Sequence, residues 1–159
     1  MRIVYFHNEH DKASRDLLTQ CQAFYPNLEV IPFMQGRSEY WFRGTPAIWV
    51  GCDQAEECLW RKEVDVTFQD FQDALDTYFE LVIVGPEAAT VNTPCEYSVA
   101  CINAFGNAKP LPIDLSISLG EQIIADSTFE LTFTDPGTYA ILVTGTNCAK
   151  IYKEVVVVA

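Results

Sequence analysis

Both histidines of the chain fall in one stretch, "YFHNEHDKASRDLL", residues 5–18. His7 and His10 stand there with Glu9, Asp11 and Ser14, residue types that hold metals or move protons. A metal centre on His7 and His10 would need further ligands from Glu, Asp or Cys, because the chain has 2 His. General acid–base work by a His–acid pair would need a nucleophile or substrate pocket beside it, and the sequence identifies neither. The plain alternative is a polar, solvated loop ahead of a capped helix.

The surrounding pattern says what must position these residues. "RIVYFH" reads as a strand. From Asp11 to Tyr25 the apolar residues Ala13, Leu17, Leu18, Cys21 and Phe24 recur three and four apart, one face of a helix. Asp11 suits the N-cap, where a carboxylate accepts from free first-turn amides. "LEVIPF", "TPAIWV" and "ECLWRKEV" read as three more strands, the second almost wholly apolar and therefore central. "DVTFQDFQDALDTYFEL" places Phe68, Phe71, Leu75, Tyr78 and Phe79 on one helical face, and Thr67 with Asp70 forms a capping box with a shorter acid.

After Glu80 the period changes from helix to strand. "CEYSVACINAFG" alternates with Cys95, Tyr97, Val99 and Cys101 on one face. "IDLSISLG" alternates with Ile113, Leu115, Ile117 and Leu119, and "TFELTF" with Phe129, Leu131 and Phe133. "TYAILVTG" and "AKIYKEVVVVA" follow, with "GTN" as the turn between them. The last strand is uncharged after Glu154 and must be covered, since an open apolar edge invites aggregation. The pattern sets a boundary near residues 80–86, at Gly85-Pro86, and two domains, 1–82 and 83–159.

Composition narrows the function classes. The formal net charge of −12 excludes phosphate-driven nucleic-acid binding and attraction to anionic membranes. Both halves are acidic: residues 1–80 hold 7 basic and 14 acidic side chains, residues 81–159 hold 3 and 8. No signal-peptide or membrane-spanning run is present, so synthesis in the cytosol is expected. The 6 cysteines form no CxxC, and in that compartment free thiols are the expectation. Cys52 and Cys58 flank the "DQAEE" turn and could staple a hairpin, but free cysteines are favoured there too. Trp41, Trp49 and Trp60 read as core or groove wall.

"YWFRGTPAIWV", Tyr40 to Val50, resembles the stretch of thioredoxins that carries a cis-proline. Pro46 would be that proline and Thr45 the residue whose backbone the family pairs with extended substrates. The order of strands and helices over about residues 1–80 also resembles that family, although "MQGRSEYWFRG" leaves little room for the helix that normally precedes this loop. Aligned on "YFHNEHDKASR", the two cysteine positions of the family's CxxC fall on Asp11 and Ser14. A carboxylate and a hydroxyl cannot carry out thiol–disulfide exchange, so the resemblance implies a redox-inactive domain. The family's substrate groove would then be kept without its chemistry, between the His7, His10, Asp11 and Ser14 loop and the Arg43, Thr45 and Pro46 loop.

"DPGTYAILV", Asp135 to Val143, resembles the D-x-G-x-Y signature of immunoglobulin-like sandwiches. Tyr139 would return its hydroxyl to nearby backbone as a tyrosine corner. The bridging Cys of antibody-type domains is replaced by Ile141, and the match is closer to bacterial and phage modules that carry "PGTY". A bridge from Cys148 to Cys95 or Cys101 is left open.

The expected fold class is therefore α+β in two domains, a thioredoxin-like α/β domain followed by an all-β immunoglobulin-like sandwich. The expected function is non-enzymatic: a structural or accessory protein that works through a protein partner, without cofactor or metal, with a homo-oligomer and a phage or prophage particle as candidate settings. Two alternatives stand beside it. One is a cysteine-based redox enzyme or sensor using Cys21, Cys52 or Cys58. The other is a metal-binding module at His7 and His10.

Overall fold

A computed structural model describes residues 1–32, 44–51 and 58–159. Tyr40, Trp41, Arg43 and Cys52 lie outside the described residues. The chain divides into two units, Met1–Tyr78 and Phe79–Ala159, four residues upstream of the expected division at 82.

In the first unit, β1 (Ile3–His7) leads through α1 (Lys12–Phe24) to β2 (Glu29–Pro32). A parallel pair needs such a crossover, and β1 and β2 are parallel. β3 (Ala47–Val50) and β4 (Trp60–Glu63) complete a sheet of order β2-β1-β3-β4, with β3 antiparallel to both neighbours. The inner strands are buried on both faces, which explains their unbroken apolar runs "IVYF" and "AIWV". Val4, Phe6, Ile31, Ala47 and Trp49 form one cluster, with Phe6 edge-on to Trp49 at 4.8 Å between ring centres. α1 packs against β1 and against α2 (Phe68–Thr77), where Phe24 meets Phe68 edge-on at 5.7 Å.

Both helix starts are capped as their sequences predict. The Asp11 carboxylate accepts from the amides of Ala13 at 3.1 Å and Ser14 at 3.3 Å. Thr67 and Asp70 form the reciprocal capping box. Lys62 of β4 also donates to Asp70, at 2.7 Å, tying strand to helix. That ammonium first, and Thr67 second, hold the Asp70 carboxyl at about 2, below its usual 3.8. A carboxyl depressed by folding stabilises the fold above its unfolded pKa and loses that contribution as pH falls through the folded one. The Asp70 side chain is 26% exposed, so solvent screening trims the gain. Asp70→Ala should cost about 1–2 kcal/mol in urea melts at pH 7. The gap to wild type should close as pH falls from 4 towards 2, the window between the two pKa values; a pH-independent gap would contradict the assignment.

The second unit has nine strands: β5 (Glu80–Val84), β6 (Ala88–Thr90), β7 (Pro94–Ile102), β8 (Ala108–Lys109), β9 (Ser116–Leu119), β10 (Gln122–Ile124), β11 (Thr128–Thr132), β12 (Gly137–Gly145) and β13 (Cys148–Val158). They form two sheets, β10-β9-β12-β13-β6 and β11-β7-β5, with β8 beside β7. The alternation read in the sequence is what builds the core between them: Tyr97, Val99 and Cys101 of β7 face Ile141 and Val143 of β12 and Val155 and Val157 of β13 in one buried cluster. The expected tyrosine corner is present, the Tyr139 hydroxyl donating to the Asp135 carbonyl at 3.0 Å. The apolar tail is covered as required, β13 pairing with β12 on one side and β6 on the other.

The expected α+β fold class, a thioredoxin-like domain followed by an immunoglobulin-like sandwich, is corrected. The described residues are 49% strand and 16% helix, with two helices, so the chain is mostly β. The two amphipathic helices are a minor part of the fold. They hold 13 and 10 residues, against thirteen strands among the described residues. Two local expectations also change. Gly85-Pro86 is no linker: it lies inside the second unit, between β5 in one sheet and β6 in the other. Ile113 does not join Ile117 in the core; it is fully exposed, because β9 begins only at Ser116. No helix among the described residues is long and apolar enough to cross a membrane.

Candidate functional site

Two prolines flank the end of β1. His7 pairs with Pro32 of β2. On its other side Phe6 pairs with Ala47, so the next residues along each strand, His7 and Pro46, stand side by side. Proline offers no amide proton, so neither neighbour can donate a ladder hydrogen bond to β1 at these positions. The Thr45-Pro46 peptide bond is cis, as the resemblance implied. The Pro46 carbonyl accepts from the Val64 amide at 3.0 Å, which ties the loop to the end of β4. Gly44 allows this approach: a Cβ there would lie 2.9 Å from Val64 Cγ2. Val64 and Asp65 make the turn with φ of 59° and 51°. Among the described residues, no backbone group pairs with the peptide N–H or C=O of Thr45.

The loop from His7 to Ser14 closes on itself. The Asn8 amide donates to Ser14 Oγ at 3.1 Å, and His7 Nδ1 lies 3.5 Å from the same oxygen. The Asn8 carbonyl accepts from the Asp11 amide at 3.1 Å, and its side chain accepts from the His10 amide at 3.1 Å. Below them the buried Tyr5 hydroxyl donates to the Ser14 carbonyl at 2.8 Å; burial raises that phenol to about 12. Tyr5, Asn8 and Pro32 were not singled out in the sequence. Period-two alternation along "IVYFH" could have marked Tyr5 as sharing a face with Ile3 and His7.

The expected groove residues therefore separate. His7, Thr45 and Pro46 are partly exposed and adjacent at one end of the sheet. Asp11 is spent on the helix cap. Ser14 is 0% exposed with its oxygen already engaged, so it is a structural pin and cannot meet a substrate. The His10 side chain is 89% exposed and leans towards Glu9 at 3.6 Å. Arg43 lies outside the described residues.

Neither histidine is gathered with other ligands: among the described residues no three His, Cys, Asp or Glu side chains converge to hold a metal. Cys21 is a core side chain of α1, 0% exposed, and burial pushes its thiol up to about 12. It is protonated at neutral pH, the opposite of a reactive cysteine. Cys58 is disulfide-bonded, against the expectation of a free thiol. Cys21, Cys95, Cys101 and Cys148 are free.

No protein-family model matches the chain, and no curated protein matches it. Among solved structures, the crystal structure of a CARDB domain from Pyrococcus furiosus, in complex with di-metal ions, is similar at 21% identity and a TM-score of 0.38, over 50% of this chain and 87% of that one. The solution structure of the same domain is similar at 20% identity and a TM-score of 0.38, over 50% and 94%.

Proposed function

We propose that this is a non-enzymatic accessory protein that binds a protein partner at the edge formed by His7, Thr45 and Pro46. The observation that carries the reading is the peptide group of Thr45, which no backbone group among the described residues pairs, beside the two prolines that flank the end of β1. An extended segment of another chain can pair with such a backbone through main-chain hydrogen bonds, while neighbouring side chains supply selectivity. Ser14 offers no accessible nucleophile there, since it is buried and its oxygen is occupied. A phage or prophage particle is the proposed setting, by analogy with other sandwich modules that assemble there.

A photo-crosslinking residue placed at position 45 tests this. Irradiation in a native lysate of the source cells should give one discrete adduct from position 45. The exposed position of Asp126 should give none. An adduct of twice the chain mass would make the partner a second copy of this chain. Absence of an adduct from position 45, or the same adducts from both positions, would overturn the reading.

A further inference from the structure

The outer face of the five-stranded sheet in the second unit carries large apolar side chains. Strand registers place Ile123 of β10, Ser118 of β9, Leu142 of β12 and Tyr152 of β13 in one row across four strands. Ile123 is 71% exposed and Tyr152 68%. Side chains alternate along each strand, so this row points away from the core that holds Ile117, Ile141, Val143 and Val155. The outward face of an antiparallel sheet is ordinarily solvated and polar, and a row of large apolar groups on it marks a contact surface. Ser118, Leu142 and Tyr152 line a groove on this face together with Ala140 and Lys150. Along β13, Lys150, Tyr152 and Glu154 are exposed and alternate with Ile151, Lys153 and Val155. A cation and an anion therefore stand on either side of the tyrosine ring. Among the described residues neither of these two charges forms an ion pair.

We propose that this face docks a second copy of the chain, in a two-fold dimer centred on the row of Ile123, Leu142 and Tyr152. The charge pattern selects that occupant. A two-fold axis lying along the row, between two facing sheets, sets each of the three apolar side chains against its own copy and runs the two β13 strands in opposite directions. Lys150 of one copy then meets Glu154 of the second, and the reciprocal pair forms on the other side of Tyr152. An axis along the strands would instead set lysine on lysine and glutamate on glutamate, so the charges also fix the orientation. Residues 81–159 hold 3 basic and 8 acidic side chains, so most approaches of a second copy are repelled. This face offsets the repulsion, since Lys150 balances Glu154. The surface belongs to the second unit and does not rest on the partner edge at Thr45.

Sedimentation velocity of the full chain over a dilution series tests this. The wild type should pass from monomer to dimer with a dissociation constant of about 10 µM, weak because the interface is small. Lys150→Glu and Glu154→Lys should each weaken the dimer at least about tenfold, because both reciprocal pairs turn repulsive. An equimolar mixture of the two variants should recover the dimer, and so should the double exchange Lys150→Glu/Glu154→Lys, since opposite charges face each other again. The exchanged side chains are exposed, and circular dichroism checks that each variant keeps its strands. Ile123→Ser, at the end of the row, should also weaken the dimer and carries the test if a charge variant does not fold. A wild type still monomeric at about 100 µM would leave the face to a different partner and overturn the proposal. A dimer indifferent to both single exchanges, or a mixture of folded variants that stays monomeric, would overturn it equally.

Discussion

Gly85→Ala should unfold the sandwich unit at temperatures where the wild type is folded. Gly85 sits at φ 150°, a region that side-chain-bearing residues rarely adopt. A Cβ built there would lie 2.3 Å from Tyr97 Cδ1 and 3.0 Å from the Glu96 carbonyl oxygen. The ring has nowhere to go. Tyr97 is 1% exposed and stacked on Phe129 at 5.8 Å between ring centres. Overpacking of this kind costs about 1–3 kcal/mol and the backbone strain a similar amount, so about 3–5 kcal/mol is expected. For a unit of this size that is a fall in Tm of more than about 10 °C. The 3 tryptophans all lie in residues 1–78, so far-UV circular dichroism should show the loss of strand signal and tryptophan emission should report the first unit separately. Gly120→Ala is the control. Gly120 also has positive φ, 59°, but nothing lies within 4 Å of the added methyl, so only strain is paid. A Gly85→Ala protein that melts like wild type would refute the close packing of Gly85 on Tyr97.

Ser14→Ala should lower the stability of the first unit by about 2 kcal/mol. Removing the hydroxyl leaves the Asn8 amide without its acceptor, 3.1 Å away in the wild type, at a part-buried site where an unsatisfied donor costs about 1–3 kcal/mol. The better helix propensity of alanine offsets a few tenths of this. The tryptophan-detected urea midpoint should fall while the circular-dichroism signal of the sandwich unit holds. The loop also loses the oxygen beside His7, so crosslinking from position 45 should weaken in parallel. A nucleophilic serine would show the reverse pattern, with stability unchanged and an activity lost. Unchanged stability in Ser14→Ala would remove the structural role assigned to this hydroxyl.

Features within four residues of each other were legible from the sequence alone. Asp11 capping α1, Thr67 answering Asp70, Tyr139 reaching back to Asp135 and the turn at "GTN" each depend on chain geometry over a few bonds. The alternation of "CEYSVAC" likewise named core residues Tyr97, Val99 and Cys101, because a half-buried strand has a strict period of two. The balance of the fold was not legible. Helical periodicity stands out in a sequence more than short strands do, and two helices were read as an α/β domain in a chain that is mostly strand. Ile113 looked like a strand residue until the ladder of β9 and β12 was found to start at Ser116.

The site divides in the same way. The sequence determined that His7, His10, Asp11 and Ser14 meet at a helix start, and that no CxxC is among them. Only the tertiary structure decided what each does. Ser14 is inside because Tyr5, nine residues earlier, holds its carbonyl from below. His7 stands between Pro32 and Pro46 because two ladders, one parallel and one antiparallel, share that register. Cys101 and Cys148 share one buried core because Leu81 pairs with the first and Phe79 bridges the second. Register across strands is set by the total burial of every side chain on both faces, a sum over the whole sheet that no local stretch contains.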